Sequence, residues 1–331
     1  MLKYLIKRLA LSVLILVGVS IIIYFLIRLM PADFVRSKID NLNQGGAILT
    51  DEQVSNMYSM YGLEENPTFG GMVKGYLNWL KSLCKFDLGN RFINGKPVSS
   101  EIARYMGTSF AIALIATVFE FLIAIPLGIT AATHQYSIRD YVVTILVMIG
   151  ISLPSFFFGE VLKNIFAIKL GWFEIAGSLG ATGSATGLAN LPAYFSHFFL
   201  PILTVVILSI GGRMRMTRTN MLEVMNSDYI RTARAKGLKE SKVINKHAFR
   251  NTLIPIVTTL AGLLPSLFSG ALITEQVFNI DGIGNVALKA MNSADIPFIM
   301  GYNMFLALLS VIGVLLSDIM YAVVDPRVKL E

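Results

Sequence analysis

Six stretches of this chain are long and apolar enough to cross a bilayer, and they restrict the fold more than any other feature. A helix rises about 1.5 Å per residue, so roughly 20 apolar residues span about 30 Å of hydrocarbon. Residues 9–27, 141–159, 193–212 and 251–274 contain no Asp, Glu, Lys or Arg. Residues 107–133 carry one acid, Glu120, and 296–324 carry one, Asp318. Lipid offers no partner to backbone N–H and C=O groups, so only helices or closed barrels span it. The apolar runs are continuous rather than alternating, which favours helices over barrel strands. The expectation is an all-α integral membrane protein with six transmembrane helices.

Composition excludes the other classes. Charged residues make up 15 % of the 331, against roughly 25 % in soluble domains. That is too little polar surface for a water-soluble protein of this size. Cys84 is the single cysteine, so no intrachain disulfide framework exists. The wealth of Leu, Ile, Val and Phe excludes a disordered chain.

Lys3, Lys7 and Arg8 precede the first span in the manner of a signal peptide. The apolar run is longer than a signal-peptide core and no small-x-small site follows, so it is read as a retained helix. Residues 213–250 hold ten Lys or Arg against three acids, net +7, which equals the charge of the whole chain. Lys and Arg collect in cytoplasmic loops. With six spans, the N-terminus, this loop and the Arg327/Lys329 tail fall on one side, giving N-in, C-in.

The expected organisation is a tail and first span over 1–29, an extracytoplasmic helical loop over 30–106, and a core over 107–331 that contains the 213–250 loop. In the outer loop, Thr50-Asp51-Glu52-Gln53 has the pattern of a capping box, with Gly62 as a stop. Met72, Val73, Tyr76, Leu77, Leu80 and Leu83 recur at helical spacing. Residues 98–105 follow Pro97 and are expected to form a short amphipathic elbow at the interface.

Motifs for other chemistries are missing from the sequence. It has no G-x-x-x-x-G-K-[ST], no H-E-x-x-H and no G-x-S-x-G. His134, His197 and His247 lack the spacing of metal ligands. The basic loop holds only Tyr229 and Phe249 as aromatics, too few for a single-stranded nucleic-acid platform. No catalytic or metal site is expected. An ion-coupled carrier needs intramembrane ionisable groups, and Glu120 is the strongest candidate. The competing structural reading places its carboxyl inside the bundle, bonded to a neighbouring helix, and predicts that Glu120→Gln transports largely as before. Pro126, Pro154, Pro201, Pro255 and Pro265 lie in or beside the spans, either shaping helices or permitting a gate to bend.

The 213–250 loop carries the most specific local signal. Ser227 is placed to cap a short helix, and Asp228 suits its positive end. Arg234 and Lys236 fall in its last turn, and Gly237 can end it in a left-handed conformation. Ala233 and Ala235 permit close approach by another surface. A second helix starts near Glu240 and leads to Pro255.

The stretches DYIRTARAKGL and HAFRNTLIPIVT resemble the cytoplasmic EAA loop of the membrane-spanning subunits of bacterial peptide ABC importers. LIKRLALSVLILVGVSIIIYFLIRLMP resembles the first span of that family, YLNWLKSLCKFDLGNRFINGKPVSSEI its outer loop, and IPLGITAA the end of its second span. EQVFNIDGIGNVALKA and DPRVKL also fit, so the resemblance covers nearly the whole chain. It favours the OppB/DppB-like permeases for oligopeptides and dipeptides, some of which carry nickel. Three features depart from the family pattern: Arg231-Thr232-Ala233 at the first EAA positions, RYMGTSF where a proline is common, and residues 177–192, which read as an insertion.

The resemblance implies a type I ABC importer permease fold in the bacterial inner membrane. The ATPase-coupling interface would be Asp228, Tyr229, Arg231, Thr232, Ala233, Arg234, Ala235, Lys236 and Gly237. Tyr229, Ala233 and Ala235 would make contact, Arg231 and Arg234 would pair with charges, and Gly237 would form the turn. The implied partners are a homologous second permease, two ABC ATPase subunits, an extracytoplasmic substrate-binding protein and a peptide substrate, with no nucleic acid. The chain itself would be no enzyme and bind no cofactor, since ATP and Mg would sit in the ATPases. Nickel or another small solute is the alternative cargo, and an ion-coupled secondary carrier is the alternative class. Ser152, Asn303 and Ser310 either line the path or satisfy backbone groups. No substrate residue is assigned at this level.

Overall fold

The fold was obtained as a computed structural model, which describes residues 2–29, 34–44, 50–60, 68–174 and 191–324. The Gly62 stop, residues 177–190 of the expected 177–192 insertion and the DPRVKL tail lie outside the described residues. The helices are α1 (Leu2–Arg28), α2 (Phe34–Gln44), α3 (Asp51–Met60), α4 (Phe69–Leu83), α5 (Val98–Thr133), α6 (Ile138–Ser152), α7 (Ser155–Leu162) and α8 (Leu191–Met225). They continue as α9 (Asp228–Ala235), α10 (Glu240–Lys242), α11 (Phe249–Gly262), α12 (Leu264–Ser269), α13 (Leu272–Val277), α14 (Ile283–Asn292) and α15 (Ile296–Val324). π-Helical turns extend α7 over Lys163–Lys169 and join α10 to α11 over Val243–Ala248. Among the described residues the only β pairing is an isolated bridge between Asn90 and Pro97.

Among the described residues, four unbroken helices are long and apolar enough to cross a membrane: Ile6–Arg28, Val98–Thr133, Ala193–Met225 and Ile296–Met320. A fifth candidate is the pair formed by α6 and the helix after it, bent by 100°. The cause is Pro154, which disfavours helical dihedrals in the residue before it. Leu153 is extended, with ψ 133°. The 251–274 run is not one helix. It is divided into α11, α12 and α13, with Pro265 in the first turn of α12 and Gly270 after it at φ +73°. The 98–105 elbow also differs from expectation, because it is the start of the 36-residue α5. Val98, Glu101 and Ile102 are buried there and hold that turn in line.

The chain divides into two units: Met1–Gly107 with Val286–Val311, and Thr108–Asn285 with Ile312–Glu331. In the first unit α1 packs on α4 through aromatic rings. Tyr24 meets Tyr76 edge-on at 5.5 Å, and Ser20 Oγ lies 3.0 Å from the Tyr76 hydroxyl. Gly75 admits this contact, since a Cβ there would collide with the Tyr24 hydroxyl. The capping box is present: Thr50 N–H donates to Gln53 Oε1 at 2.9 Å, and Gln53 N–H returns to Thr50 Oγ1.

A buried charge knot fastens the loop before α5. Arg91 Nε donates to Asp295 Oδ2 at 2.8 Å, and Nη1 donates to Glu101 Oε2 at 3.0 Å. Phe92 N–H donates to the other Asp295 oxygen, and the guanidinium lies 4.6 Å from the Phe298 ring centre. All three charged side chains are buried. Paired and bonded in this way they avoid the cost of isolated buried charges.

In the second unit α5 and α8 approach closely at Gly128, where a Cβ would lie 2.8 Å from the Met214 carbonyl oxygen. α6 packs on α8 at Gly211, where a Cβ would collide with Ile151. Arg218 holds both carboxylate oxygens of Asp140, at 3.0 and 2.9 Å, and ties the start of α6 to α8. The fork geometry is the strong form of this pair. Apolar side chains such as Leu14, Leu122 and Leu146 stay more than 60 % exposed, as a lipid-facing surface requires.

Candidate functional site

The basic loop folds as a short helix pinned to the bundle. α9 follows α8 after a two-residue turn, and its Ile230 and Ala233 are buried among Ala132, Met221, Val243 and Ala248. Ser227 stands at the N-cap position with extended dihedrals, yet it makes no side-chain cap bond. Its hydroxyl instead donates back to the Val224 carbonyl at 2.6 Å. The Asp228 charge in the first turn still favours the helix end.

The C-terminal end of α9 is a Schellman turn. Leu238 N–H bonds the Ala233 carbonyl and Gly237 N–H bonds the Arg234 carbonyl at 2.9 Å, with Gly237 at φ +73°. Two carbonyls that a helix end leaves orphaned are thereby satisfied. Leu238 packs into the same apolar cluster as Ala233. Across the turn Arg234 grips Glu240, with Nη2 to Oε1 at 2.7 Å and Nε within 3.2 Å of both oxygens. The hydrogen bond from Arg234 holds the Glu240 carboxyl below its ordinary value, and the same bond raises the guanidinium.

The nine residues of the expected interface are therefore not equivalent. Asp228, Tyr229, Arg231, Thr232, Ala235, Lys236 and Gly237 are exposed. Ala233 is 7 % exposed and packs the helix onto its own chain, so it offers no outward contact. Arg234 is committed to Glu240. The Arg231–Asp228 pair, 3.6 Å apart with both side chains more than 70 % exposed, contributes little.

A cavity of about 480 Å³ lies in the second unit between α5, α8 and the α11–α13 breaks. Ile112, Ala113, Thr117 and Glu120 line it from α5, and Val205, Ser209, Gly212, Arg213 and Met216 from α8. These positions recur at three- and four-residue spacing, so each helix presents one face. Glu120 Oε1 accepts from Arg213 Nε at 2.9 Å. The Arg213 guanidinium also lies 5.2 Å from the Phe121 ring centre. The Glu120 carboxyl is bonded to a neighbouring helix, as the structural reading had it, and it also forms part of a cavity wall. Ser152, Asn303 and Ser310 instead bond carbonyls one turn back on their own helices.

A second buried cluster was not anticipated from the sequence. The Glu275 carboxylate, 1 % exposed, accepts from Ser109 Oγ at 2.6 Å and from Asn285 N–H at 2.9 Å. Ser109 in turn accepts from Ile283 N–H. Gly282 and Gly284 surround the carboxylate, and a Cβ on Gly282 would collide with it. The legible signal was the E…G-x-G spacing in EQVFNIDGIGN, which shows small residues without showing what they surround.

Residues 124–330 match the family model described as binding-protein-dependent transport system inner membrane component. The chain is 33 % identical to the oligopeptide transport system permease protein AppB of Bacillus subtilis, over 99 % of this chain and 100 % of that one. It is 31 % identical to the dipeptide transport system permease protein DppB of Alkalihalophilus pseudofirmus, again over 99 % and 100 %. The fold resembles a chain of the MetNI methionine ABC transporter in an inward-facing conformation. The TM-score is 0.51 at 16 % identity, covering 69 % of this chain and 97 % of that one.

Proposed function

The chain belongs to the family of binding-protein-dependent transport system inner membrane components, and on that premise we propose that it forms half of the translocation path for short peptides. It is a multi-pass permease subunit of an ABC importer in the bacterial inner membrane. Peptide cargo rests on its full-length likeness to relatives named for oligopeptides and dipeptides. The partners implied are a substrate-binding protein and ATPase components, in the form of a second homologous permease, two ATPase subunits and an extracytoplasmic receptor. ATP and Mg belong to the ATPases, and this chain carries no catalytic role. With the broken 251–274 run counted as a sixth crossing, the placement of Lys and Arg gives N-in, C-in.

One observation carries the coupling assignment. α9 is a short helix fixed to its own bundle by Ile230 and Ala233, closed by a Schellman turn and clamped by Arg234–Glu240, while Tyr229, Arg231, Thr232, Ala235 and Lys236 stay exposed outside. A rigid helix with an unpartnered outer face transmits a push from a docked subunit into α8 and α11. In this reading ATP binding closes the ATPases and the paired permeases turn from inward- to outward-facing. The receptor then releases cargo into the path, and this is a population shift driven by the partner.

The test is a pull-down of the tagged chain from gently solubilised membranes, with ATPase activity assayed on the eluate. A stoichiometric Walker-containing subunit, lost when 228–237 is disrupted, supports the assignment. An eluate without ATPase overturns it in favour of an ion-coupled carrier. Nickel uptake without peptide uptake by the assembled complex overturns the cargo alone.

A further inference from the structure

We infer that the cavity at Glu120 and Arg213 is a subsite for the charged termini of a zwitterionic peptide. The inference rests on the peptide reading above and names the residues that would meet the cargo. The volume of about 480 Å³ falls in the usual small-ligand range of roughly 300–1,000 Å³. Its wall is mostly apolar, with Ile112, Val205, Met216 and Leu267, and its hydroxyls come from Thr117, Ser209 and Ser266. Among the described residues that line it, the only charges are one acid and one base.

That pair is bonded through a single contact, Nε to Oε1. Among the described residues no other hydrogen bond reaches the guanidinium or the carboxylate. Both Arg213 Nη groups and Glu120 Oε2 therefore keep their capacity, and neither side chain is sealed, at 22 % and 10 % exposure. A guanidinium edge matches a peptide carboxylate bidentately, and a free carboxylate oxygen accepts from an ammonium.

The charge balance selects the ligand class. A zwitterion placed against the pair adds no net charge to a partly desolvated site, and each of its ends gains an opposite partner. A lone dication meets one carboxylate already held by an arginine. A neutral solute leaves the free donors of Arg213 without a carboxylate.

The test measures equilibrium binding of labelled alanyl-alanine, its N-acetyl form and its C-amide form to the assembled transporter, purified without receptor. Peptide uptake by the same preparation with receptor is measured in parallel. Wild type should prefer the free dipeptide to either blocked form by about tenfold, as expected for one charge-assisted contact. Glu120→Gln should abolish the discrimination against the N-acetyl form only, and Arg213→Gln that against the C-amide form only. The double Gln variant leaves no unpaired charge, should assemble normally, and should bind all three forms alike. Variants that discriminate as wild type does overturn the subsite, as does a wild type indifferent to blocking that still imports peptide. A wild type that imports no peptide overturns the peptide reading, and the subsite falls with it.

Discussion

The Ser109 hydroxyl and the Glu275 carboxylate lie 2.6 Å apart across 166 residues of sequence, and their bond ties α5 to α13. Ser109 also receives Ile283 N–H, and Glu275 receives Asn285 N–H, so the start of α14 is drawn into the same knot. The second unit thus fixes three helices around one buried carboxylate.

This predicts that Gly282→Ala destabilises the chain by about 1–3 kcal/mol, since its Cβ collides with Glu275 in a packed site. Glu275→Ala should cost at least as much, because it strands the Ser109 hydroxyl and the Asn285 amide, each worth about 1–3 kcal/mol when buried unpaired. Thermal unfolding in detergent measures both. A Gly282→Ala chain as stable as wild type contradicts the packing described.

At the coupling helix, Gly237→Val should loosen the end of α9. A left-handed φ costs an L-residue roughly 1–2 kcal/mol, and more when it is β-branched. The Schellman bonds from Gly237 and Leu238 depend on that conformation. The expected result is ATP hydrolysis uncoupled from uptake with normal membrane assembly. Full, coupled uptake removes the coupling role from this turn.

The buried knot of the first unit predicts an asymmetry between its members. Arg91→Ala leaves Glu101 and Asp295 buried without their shared cation, a loss of about 3–5 kcal/mol. Arg91→Lys should recover only part of it, since an ammonium does not reproduce the two-directional donation. Lys96→Ala should be nearly silent, because its 4.0 Å contact with Glu101 is half exposed. Equal effects of Arg91→Ala and Lys96→Ala on unfolding temperature defeat this account.

The Arg234–Glu240 clamp gives a pH dependence. The carboxyl of Glu240 is held below its ordinary value by the Arg234 bond. A depressed carboxyl contributes stability above its unfolded pKa and loses it as pH falls through the folded one. The clamp should therefore be constant through neutrality and release only in acid. Hydrogen-exchange protection of 234–242, relative to the intrinsic rate at each pH, should be unchanged between about pH 6 and 8, and Glu240→Gln at neutral pH should be as weakly protected as acidified wild type. Protection that fades between pH 6 and 8 assigns the clamp to another group.

Much of the architecture was legible before folding because it depends on local quantities. Length and hydropathy mark 9–27, 107–133, 193–212 and 296–324 as spans, and each is an unbroken helix. The capping box at Thr50 and the left-handed Gly237 were equally local, since two or three neighbouring residues suffice to specify them. Ser227 misled because its hydroxyl had two backbone partners within reach, and only the path of the chain after α8 chose the Val224 carbonyl.

By itself the sequence determined that this is a helical membrane protein with a basic loop helix and the likeness of a peptide permease. Those properties follow from apolar run length, charge placement and short motifs. Tertiary structure alone decided that Ala233 faces inward and that Arg213 meets Glu120 on a cavity wall. The reason is distance along the chain. Glu120 and Arg213 are 93 residues apart, and Ser109 and Glu275 are 166 apart. A pairing of that kind is set by how helices cross and where their glycines let backbones approach, and no window of sequence contains both partners.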